Sequence, residues 1–518
     1  MFHPYVPEAY SDFTDPAKKA AYELALAGVR SRFGTTYGLV IDGEWLETGS
    51  SITSVNPARP AEVVGAVAAG GVAEAERALQ AAWAAFPGWA ARPAEERARI
   101  GVKLAAIMRR NKYELAAIET YEAGKNWLEA EADVAEAIDF VEYYAHQAVR
   151  LANPLDTVSV PGEENESHLI PIGAGVAIPP WNFPGAILIG MATGPVLAGN
   201  TIVIKPASNT PVIGARFMEM VAEAGMPPGV INYVPGSGGA IGDFLVDHPL
   251  TRFVNFTGSK EIGLRIAERS AKVAPGQKWL KRAFLEMGGK DAMIVDETAD
   301  LKAAAADAVR SAFGFQGQKC SAASRLILVA DIYDDVLARV VEGASSLRIG
   351  PPEENFPVGP VISATQHRAI LGEIDKGKQE GRLVLGGSAV DLDGGWYLEP
   401  TIFADVDPGA RLAQHEIFGP VLSVIRARDF DDALDIANGT EFGLTGGVYS
   451  RDRGRIERAR RDFHVGNLYI NRKITGALVG VQPFGGFNMS GSNSKAGGPD
   501  YLRLFMEMKT VAERWVAP

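Results

Sequence analysis

Residues Leu169–Ile204 read LIPIGAGVAIPPWNFPGAILIGMATGPVLAGNTIVI, and not one of them is charged. Length alone admits a membrane-spanning helix. The content argues otherwise: Pro171, Pro179, Pro180, Pro184 and Pro195, several glycines and a central Asn182 interrupt any continuous helix. The stretch reads instead as strand, loop, short helix and strand in a buried α/β core. Working outward from it, VAIPP, TIVIKP, VINYVPG and FVNFTGS read as buried parallel strands, and PVIGARFMEMVAEAG as a crossover helix. Strand and helix in repeated alternation from Ser159 to Pro275 are the signature of a doubly wound parallel sheet. A second alternation begins near Leu285 with AMIVDE, LKAAAADAVRSAFGF and RLILVA, and continues to VLSVIRA and GLTGGVYS. The fold class is α/β.

Before the first sheet the texture is helical. Val72–Gln147 carries apolar residues at spacings of three and four in three runs, with Pro87 expected to end the first and Gly124 the second. YGLVIDGEWLETG reads as a hairpin turning at Asp42-Gly43, and residues 1–35 as an N-terminal arm with one charged helix. The tail YLRLFMEMKTVAERW reads as a mixed apolar strand or helix. A chain of 518 residues exceeds one compact core, so two or three domains are expected. The net charge of −12, with no basic run, disfavours a nucleic-acid surface. The N-terminus MFHPYVPEAYSDFTD has neither a basic region nor an apolar run, and is not expected to act as a secretory signal.

There is one cysteine, Cys320, in FGFQGQKCSAASR. It allows no internal disulfide and no cysteine zinc cluster, so no metal site is expected, and it suits a reducing cytoplasm. A lone cysteine is commonly a small core hydrophobe. Here Gln316, Gly317, Gln318, Lys319 and Ser321 make a polar approach, and a thiol beside a lysine on a small turn reads as an accessible nucleophile of lowered pKa.

Other features could serve that thiol. VPGSGGAIG and FTGSKEIG are glycine-rich turns after strands, able to hold a phosphate on free backbone N–H groups, though neither fits a strict dinucleotide or Walker pattern. LEMGGKDA sets Glu286 between Leu285 and Met287; a desolvated acid there suits general-base work, and a solvated turn acid fits equally well. PPWNFPG holds Asn182 as a rigid amide for which an oxyanion is one natural partner. EIFGPV, with Glu416, by itself says turn. No motif pairs any of the seven histidines, His3 to His464, with Cys320.

Taken in order, PWNFP, KPAS, FTGS, LEMGGKDA, GQKCSAASR, EIFGPV and PFGGFNMSG resemble the aldehyde dehydrogenase superfamily from about Tyr37 onward. FQGQKCSAASR and NRKITGALVGVQPFGGFNMSG resemble its 1-pyrroline-5-carboxylate (L-glutamate γ-semialdehyde) dehydrogenase branch. The resemblance implies a Rossmann-like NAD-binding domain (1–152 and 172–284), an α/β catalytic domain (285–483), and a β oligomerisation flap with the tail (153–171 and 484–518). It implies oxidation of L-glutamate γ-semialdehyde to L-glutamate, the second step of proline catabolism, by a cytoplasmic homodimer at minimum, with a trimer of dimers compatible. The partner molecule is a small aldehyde, with no nucleic acid and no membrane.

Residue by residue, the resemblance implies that Cys320 forms a thiohemiacetal held by Asn182 and the Cys320 N–H, and that Glu286 activates the water that hydrolyses the thioester. It implies cofactor contacts from Ile178, Pro179, Trp181, Lys205 and Ser208, from Gly238 and Gly242, and from Phe256, Thr257, Gly258 and Ser259. Gly288, Glu416 and Phe418 complete that set. Lys205 is expected at the adenosine ribose, Trp181 and Gly238 at the adenine, Ser259 at the pyrophosphate, and Glu416 with Phe418 at the nicotinamide. Where many NAD-preferring relatives carry an acid this chain has Ser208, so NAD with appreciable NADP use is expected. For the substrate, Ser321 with the Gly476 and Ala477 N–H groups is expected at the carboxylate, Phe183 and Phe484 around the aliphatic chain, and Glu136 near the amino group. Two alternatives stay open: another semialdehyde-oxidising member of the family, and a non-redox cysteine hydrolase or transferase.

Overall fold

The structure is a computed structural model and describes residues 4–515, so His3 lies outside it. Two seven-stranded sheets dominate. The first has the strand order Arg282–Glu286, Phe253–Thr257, Ala174–Ile178, Thr201–Ile204, Ile231–Tyr233, Leu39–Ile41, Glu44–Leu46. Its first five strands are parallel; the last two form the hairpin at Asp42-Gly43 and join antiparallel. From Ala174–Ile178 the chain runs outward through Thr201–Ile204 to Ile231–Tyr233, then returns to Phe253–Thr257 on the other side. That reversal opens a crevice at the carboxyl ends of the strands, where ligands of such sheets bind. The second sheet, in the order Arg382–Leu385, Thr401–Ala404, Val421–Ala427, Arg325–Val329, Ala292–Val295, Thr445–Tyr449, Asn467–Ile470, is parallel except at its first strand.

The uncharged stretch is at the centre of the first core. Ala174–Ile178 and Thr201–Ile204 are adjacent buried strands, and between them the helix Ala186–Leu197 is buried on nearly every face. Asn200 pins the stretch from inside: Oδ1 accepts from Ile172 N (2.7 Å) and Gly173 N (3.0 Å), and Nδ2 donates to Pro195 O (3.0 Å) and Phe505 O (2.9 Å). Every polar atom of that buried amide is thus satisfied. Among the described residues no helix is long and apolar enough to cross a membrane.

Two expectations about the helices need correction. Pro87 does not end its helix, which runs Val72–Ala90; within the last turn a proline forfeits a single ladder bond, and Ala91 N still donates to Pro87 O (3.1 Å). The next run breaks at Asn111 into Ala94–Arg110 and Lys112–Ala123. Gly124 stops the latter at φ +73°, with Pro57 and Pro360 packed so tightly on its Cα that a side chain has no room. The tail makes a short 3₁₀ turn, Tyr501–Phe505, and then the strand Met506–Arg514, paired antiparallel with Glu163–Pro171 from Met506 opposite Pro171 to Arg514 opposite Glu163. This two-stranded flap leaves Ile170, Met508, Val511 and Trp515 exposed.

Candidate active site

The site forms where the carboxyl-terminal edge of the first sheet meets the amino-terminal edge of the second. Ile178-Pro179, Lys205, Thr257–Ser259 and Glu286 follow or end strands of the first sheet. Gly288, Cys320 and Glu416–Phe418 precede strands of the second. Asp291 joins neighbouring strands there: its carbonyl accepts from Ser324 N (3.1 Å) and Arg325 N (3.0 Å), and its carboxylate from Thr445 N (2.9 Å).

Cys320 owes its position to a strained approach. Phe315, Gln316 and Gly317 have φ of +48°, +55° and +65°, three left-handed residues in a row, two of them carrying side chains. A Cβ on Gly317 would stand 2.2 Å from Gly419 O, so glycine is required where this turn packs on the 416–419 loop. Beyond it Gln318 N closes on Phe315 O (3.0 Å), and Gln318 Oε1 accepts from Ile362 N (2.9 Å). Asn182, nearly fully buried, donates one Nδ2 hydrogen to Gln318 O at 3.0 Å. Its second amide hydrogen and the Cys320 backbone N–H have no partner among the described residues.

The electrostatics overturn one expectation. Burial pushes the Cys320 thiol well above the ordinary thiol range, and the carboxylates of Glu286, Asp291 and Glu416 push the same way. Lys319 does not counter them, because its ammonium grips both oxygens of Glu129 at 2.7 and 2.6 Å. The Glu286 carboxyl is buried, and burial raises its pKa well above the carboxylate range, with Lys495 and the Gly486 backbone opposing the rise. Burial thus disfavours the ionised form of both thiol and acid. Around them Asp291 is pushed up to about 8 and Glu416 to about 7, both by burial, and Lys290 is pushed down to about 7 by burial and by Arg325.

Cys320 faces two spaces. One is a cavity of about 660 Å³, in which Glu136, Phe183, Ser321, Gly476, Ala477 and Phe484 all take part, together with Glu286. Gly476 is left-handed (φ +76°), and neither its N–H nor that of Ala477 has a partner among the described residues, so two adjacent unpaired donors belong to residues that line the cavity. Glu136 is pushed up to about 8, by burial first and then by Asp133. The other space is a small crevice between Cys320, Gly289, Glu416 and Phe418. There Gly289 N donates to Glu416 Oε1 (3.0 Å), and a Cβ on Gly288 would meet Glu416 Oε2 at 2.0 Å. Trp181 meets Phe418 edge-to-face, ring centroids 5.5 Å apart, so it belongs with Phe418 and not at an adenine end with Gly238. No histidine among the described residues lines either space.

The remaining candidates ring the first sheet's crevice, and of them Phe256 and Thr257 also line the Cys320 cavity. Lys205 is buried with Pro206 O as its one hydrogen-bond partner (3.0 Å), and burial pushes it down to about 8. Ser208 is exposed on the turn that follows. VPGSGGAIG forms a five-residue π-helical turn, Gly238–Gly242, with open space above Gly238, Gly239 and Gly242. Ser259 caps the helix Lys260–Ser270, its Oγ accepting from Ile262 N (3.4 Å). Phe256 packs into the core with Leu285 and Met287, and Gly258 sits against its ring. A buried lysine without an anionic partner among the described residues, open glycine turns and a capped helix start suit a dinucleotide.

Three groups had no signal in the sequence. Lys125 lies fully buried between Glu119 and Asp133 and over the Phe183 ring (4.3 Å). Glu129 takes up Lys319. Tyr10 and Ser11 of the N-terminal arm line the larger cavity.

A model of the aldehyde dehydrogenase family matches residues 45–511. The chain is 55% identical over 514 residues to the 1-pyrroline-5-carboxylate dehydrogenase of Geobacillus kaustophilus (strain HTA426), covering 99% of this chain and 100% of that one. It is 52% identical over 510 residues to the protein of the same name from Bacillus subtilis (strain 168), covering 98% and 99%. Among solved structures it resembles the 1-pyrroline-5-carboxylate dehydrogenase from Thermus with bound NAD, at TM-score 0.98 and 57% identity, over 99% of this chain and 100% of that one.

Proposed function

The chain belongs to the aldehyde dehydrogenase family, and we infer that it oxidises L-glutamate γ-semialdehyde, the open form of 1-pyrroline-5-carboxylate, to L-glutamate with NAD as cofactor. The observation that carries the reading is the cavity itself: a lone thiol and an unpaired buried acid face two free backbone donors and a carboxylate, Glu136.

In this reading Cys320 Sγ gives up its proton to solvent through the open cavity and attacks the aldehyde carbon. The carbonyl oxygen becomes an oxyanion that takes the free Asn182 amide hydrogen and the Cys320 N–H. Preorganised donors of this kind lower such a barrier by roughly 3–4 kcal/mol each. NAD, when bound, would supply the hydride acceptor that turns the thiohemiacetal into a thioester, with Glu416 and Phe418 holding its nicotinamide end. As a carboxylate Glu286 takes a proton from water, the resulting hydroxide cleaves the Cys320 thioester and releases the acid, and the proton passes to the departing sulfur to restore the thiol. The acid at position 286 favours this hydrolysis over transfer of the acyl group to another thiol.

For the substrate, the Gly476 and Ala477 N–H groups and the Ser321 hydroxyl bind the α-carboxylate, Phe183 and Phe484 flank the chain, and Glu136 faces the ammonium. The cofactor runs from Lys205, Ser208 and Gly238–Gly242, past Ser259, to Glu416 and Phe418. Ser208 neither repels nor crowds a 2′-phosphate, so NADP turns over as well. Residues up to 152 with 172–284 bind cofactor and residues 285–483 carry the catalytic thiol. The flap, 153–171 with 484–518, pairs with a second copy through its exposed apolar side chains. A free thiol nucleophile suits the reducing cytoplasm.

The test compares L-glutamate γ-semialdehyde with pentanal, which has the same chain length and no head group, each with NAD and with NADP. A kcat/KM preference for the amino-acid aldehyde of at least about tenfold is expected, since buried donors left unpaired are costly. Equal rates for the two aldehydes overturn the substrate assignment.

A further inference from the structure

The Cys320 cavity has a wall built from the far N-terminus of the chain. The helix Trp127–Leu151 presents Glu129, Ala132, Glu136 and Phe140 to the cavity, spaced by three or four residues as one helical stripe. On the adjacent stripe, Glu131 and Asp139 flank Glu136 and turn toward the arm. Asp139 Oδ1 accepts from Glu8 N (2.8 Å), and Glu131 Oε1 accepts from Ser11 N (3.0 Å) and Ser11 Oγ (2.9 Å). Lys112 holds the same arm from below, with its ammonium on Glu131 (2.5 Å) and on the Ala9 carbonyl (2.8 Å). Tyr5 OH donates to Val479 O (3.2 Å), tying the arm to the loop that carries Gly476 and Ala477.

These bonds span about a hundred residues or more of sequence and use main-chain N–H groups, so they locate the arm's backbone and not just its side chains. Between the two tethers lies Tyr10. It lines the cavity together with Glu131 and Glu136, and it is 54% exposed. Leu128, at 57%, is the other strongly exposed apolar lining residue on this side, whereas Met191 and Tyr501 at the inner end are buried. The exposed pair marks where the cavity opens to solvent.

We propose that residues 8–11 form a fixed lip of the substrate cavity, and that Tyr10 is a specificity-determining residue limiting the size of molecule that reaches Cys320. The inference rests on the reading of Cys320 as the reacting group. Tyr10 makes no bond to the reacting atoms; it narrows the way in.

The lone cysteine allows a test independent of turnover, because alkylation of the protein by a thiol reagent is alkylation of Cys320. Rates are measured with iodoacetamide and with a biotin-bearing maleimide on wild type, Tyr10→Ala and Tyr10→Trp. Removing a steric wall changes discrimination by size, so Tyr10→Ala raises the bulky-to-small rate ratio by about fivefold or more and Tyr10→Trp lowers it. The same order is expected in kcat/KM for octanal relative to propanal. Ratios that stay within about twofold for both variants, with unchanged melting temperatures, overturn the proposal. If the size ratio moves as stated but L-glutamate γ-semialdehyde is not preferred over pentanal, the lip stands and the substrate assignment falls.

Discussion

Replacing Lys125 by methionine is expected to cost stability and to loosen the substrate pocket together. Lys125, Glu119 and Asp133 are fully buried, with the ammonium 3.1 Å from Glu119 Oε2 and in direct contact with Asp133. Burial pulls the Lys125 pKa down, but Asp133 and Glu119 raise it on balance, so it is a cation at neutral pH. Methionine matches the volume and leaves Asp133 without a counter-charge. Breaking a buried pair from one side costs about 3–5 kcal/mol, a large share of the roughly 5–15 kcal/mol that holds a domain together. The cluster also supports the pocket. Asp133 accepts from Ala186 N, which starts the helix after Asn182 and Phe183, and the ammonium stands 4.3 Å from the Phe183 ring and 5.0 Å from Phe315.

The pH dependence has a definite sign. Burial first, and Asp133 second, hold Glu119 above the ordinary carboxylate range, while Lys125 pulls it down. Without Lys125 the folded pKa of Glu119 rises further above its unfolded value. A raised acid stabilises the fold at low pH, and that contribution is lost as pH climbs through the folded pKa. The deficit of the variant is therefore smaller at pH 5.5 than at pH 8. The assay is urea unfolding followed by tryptophan fluorescence, comparing midpoints because a chain of this size need not unfold in one step. The double variant Lys125→Met/Asp133→Asn removes both charges and is expected to recover at least about 1 kcal/mol of the single variant's loss, as contacting residues couple. A single variant with a parental midpoint, or a double variant with strictly additive losses, refutes the reasoning. In the folded fraction KM for the aldehyde rises more than kcat falls.

Glu286→Gln keeps the shape and removes the base, and at most about 1–3 kcal/mol of stability is at stake in the buried amide it introduces. Rapid mixing is expected to give a burst of one NADH per thiol followed by steady turnover lowered about 10²–10⁴-fold, and a lost burst argues that Glu286 acts before the thioester. In the cofactor-free protein the iodoacetamide rate at Cys320 is expected to climb about tenfold per pH unit past pH 9, because burial and three acids hold the thiol up. A plateau below pH 8 contradicts that electrostatic account.

Much of this was legible in the chain. Prolines and the central Asn182 within an uncharged stretch excluded a membrane helix, and period and punctuation marked the parallel strands. The thiol, Glu286 and Asn182 stood out because each is an unusual residue for its local surroundings. What local signals could not give was charge state. A lysine next to Cys320 suggested a lowered pKa, but the tertiary fold delivers Glu129 from 190 residues away to neutralise it and brings three acids around a buried thiol. Trp181 likewise changed partners, because its neighbour is set by the contact of two sheet edges and not by the PWNFP motif.

The sequence by itself determined which segments form buried strands and which residue types carry the chemistry, because hydrophobic period, glycine and proline act over a few residues. Only the tertiary structure decided the upward shift of the Cys320 and Glu286 pKa values, the burial of Lys125 between two carboxylates, and the placement of Tyr10 and Ser11 at the cavity. Those depend on desolvation and on charges brought together across a hundred residues or more, and no local pattern encodes them.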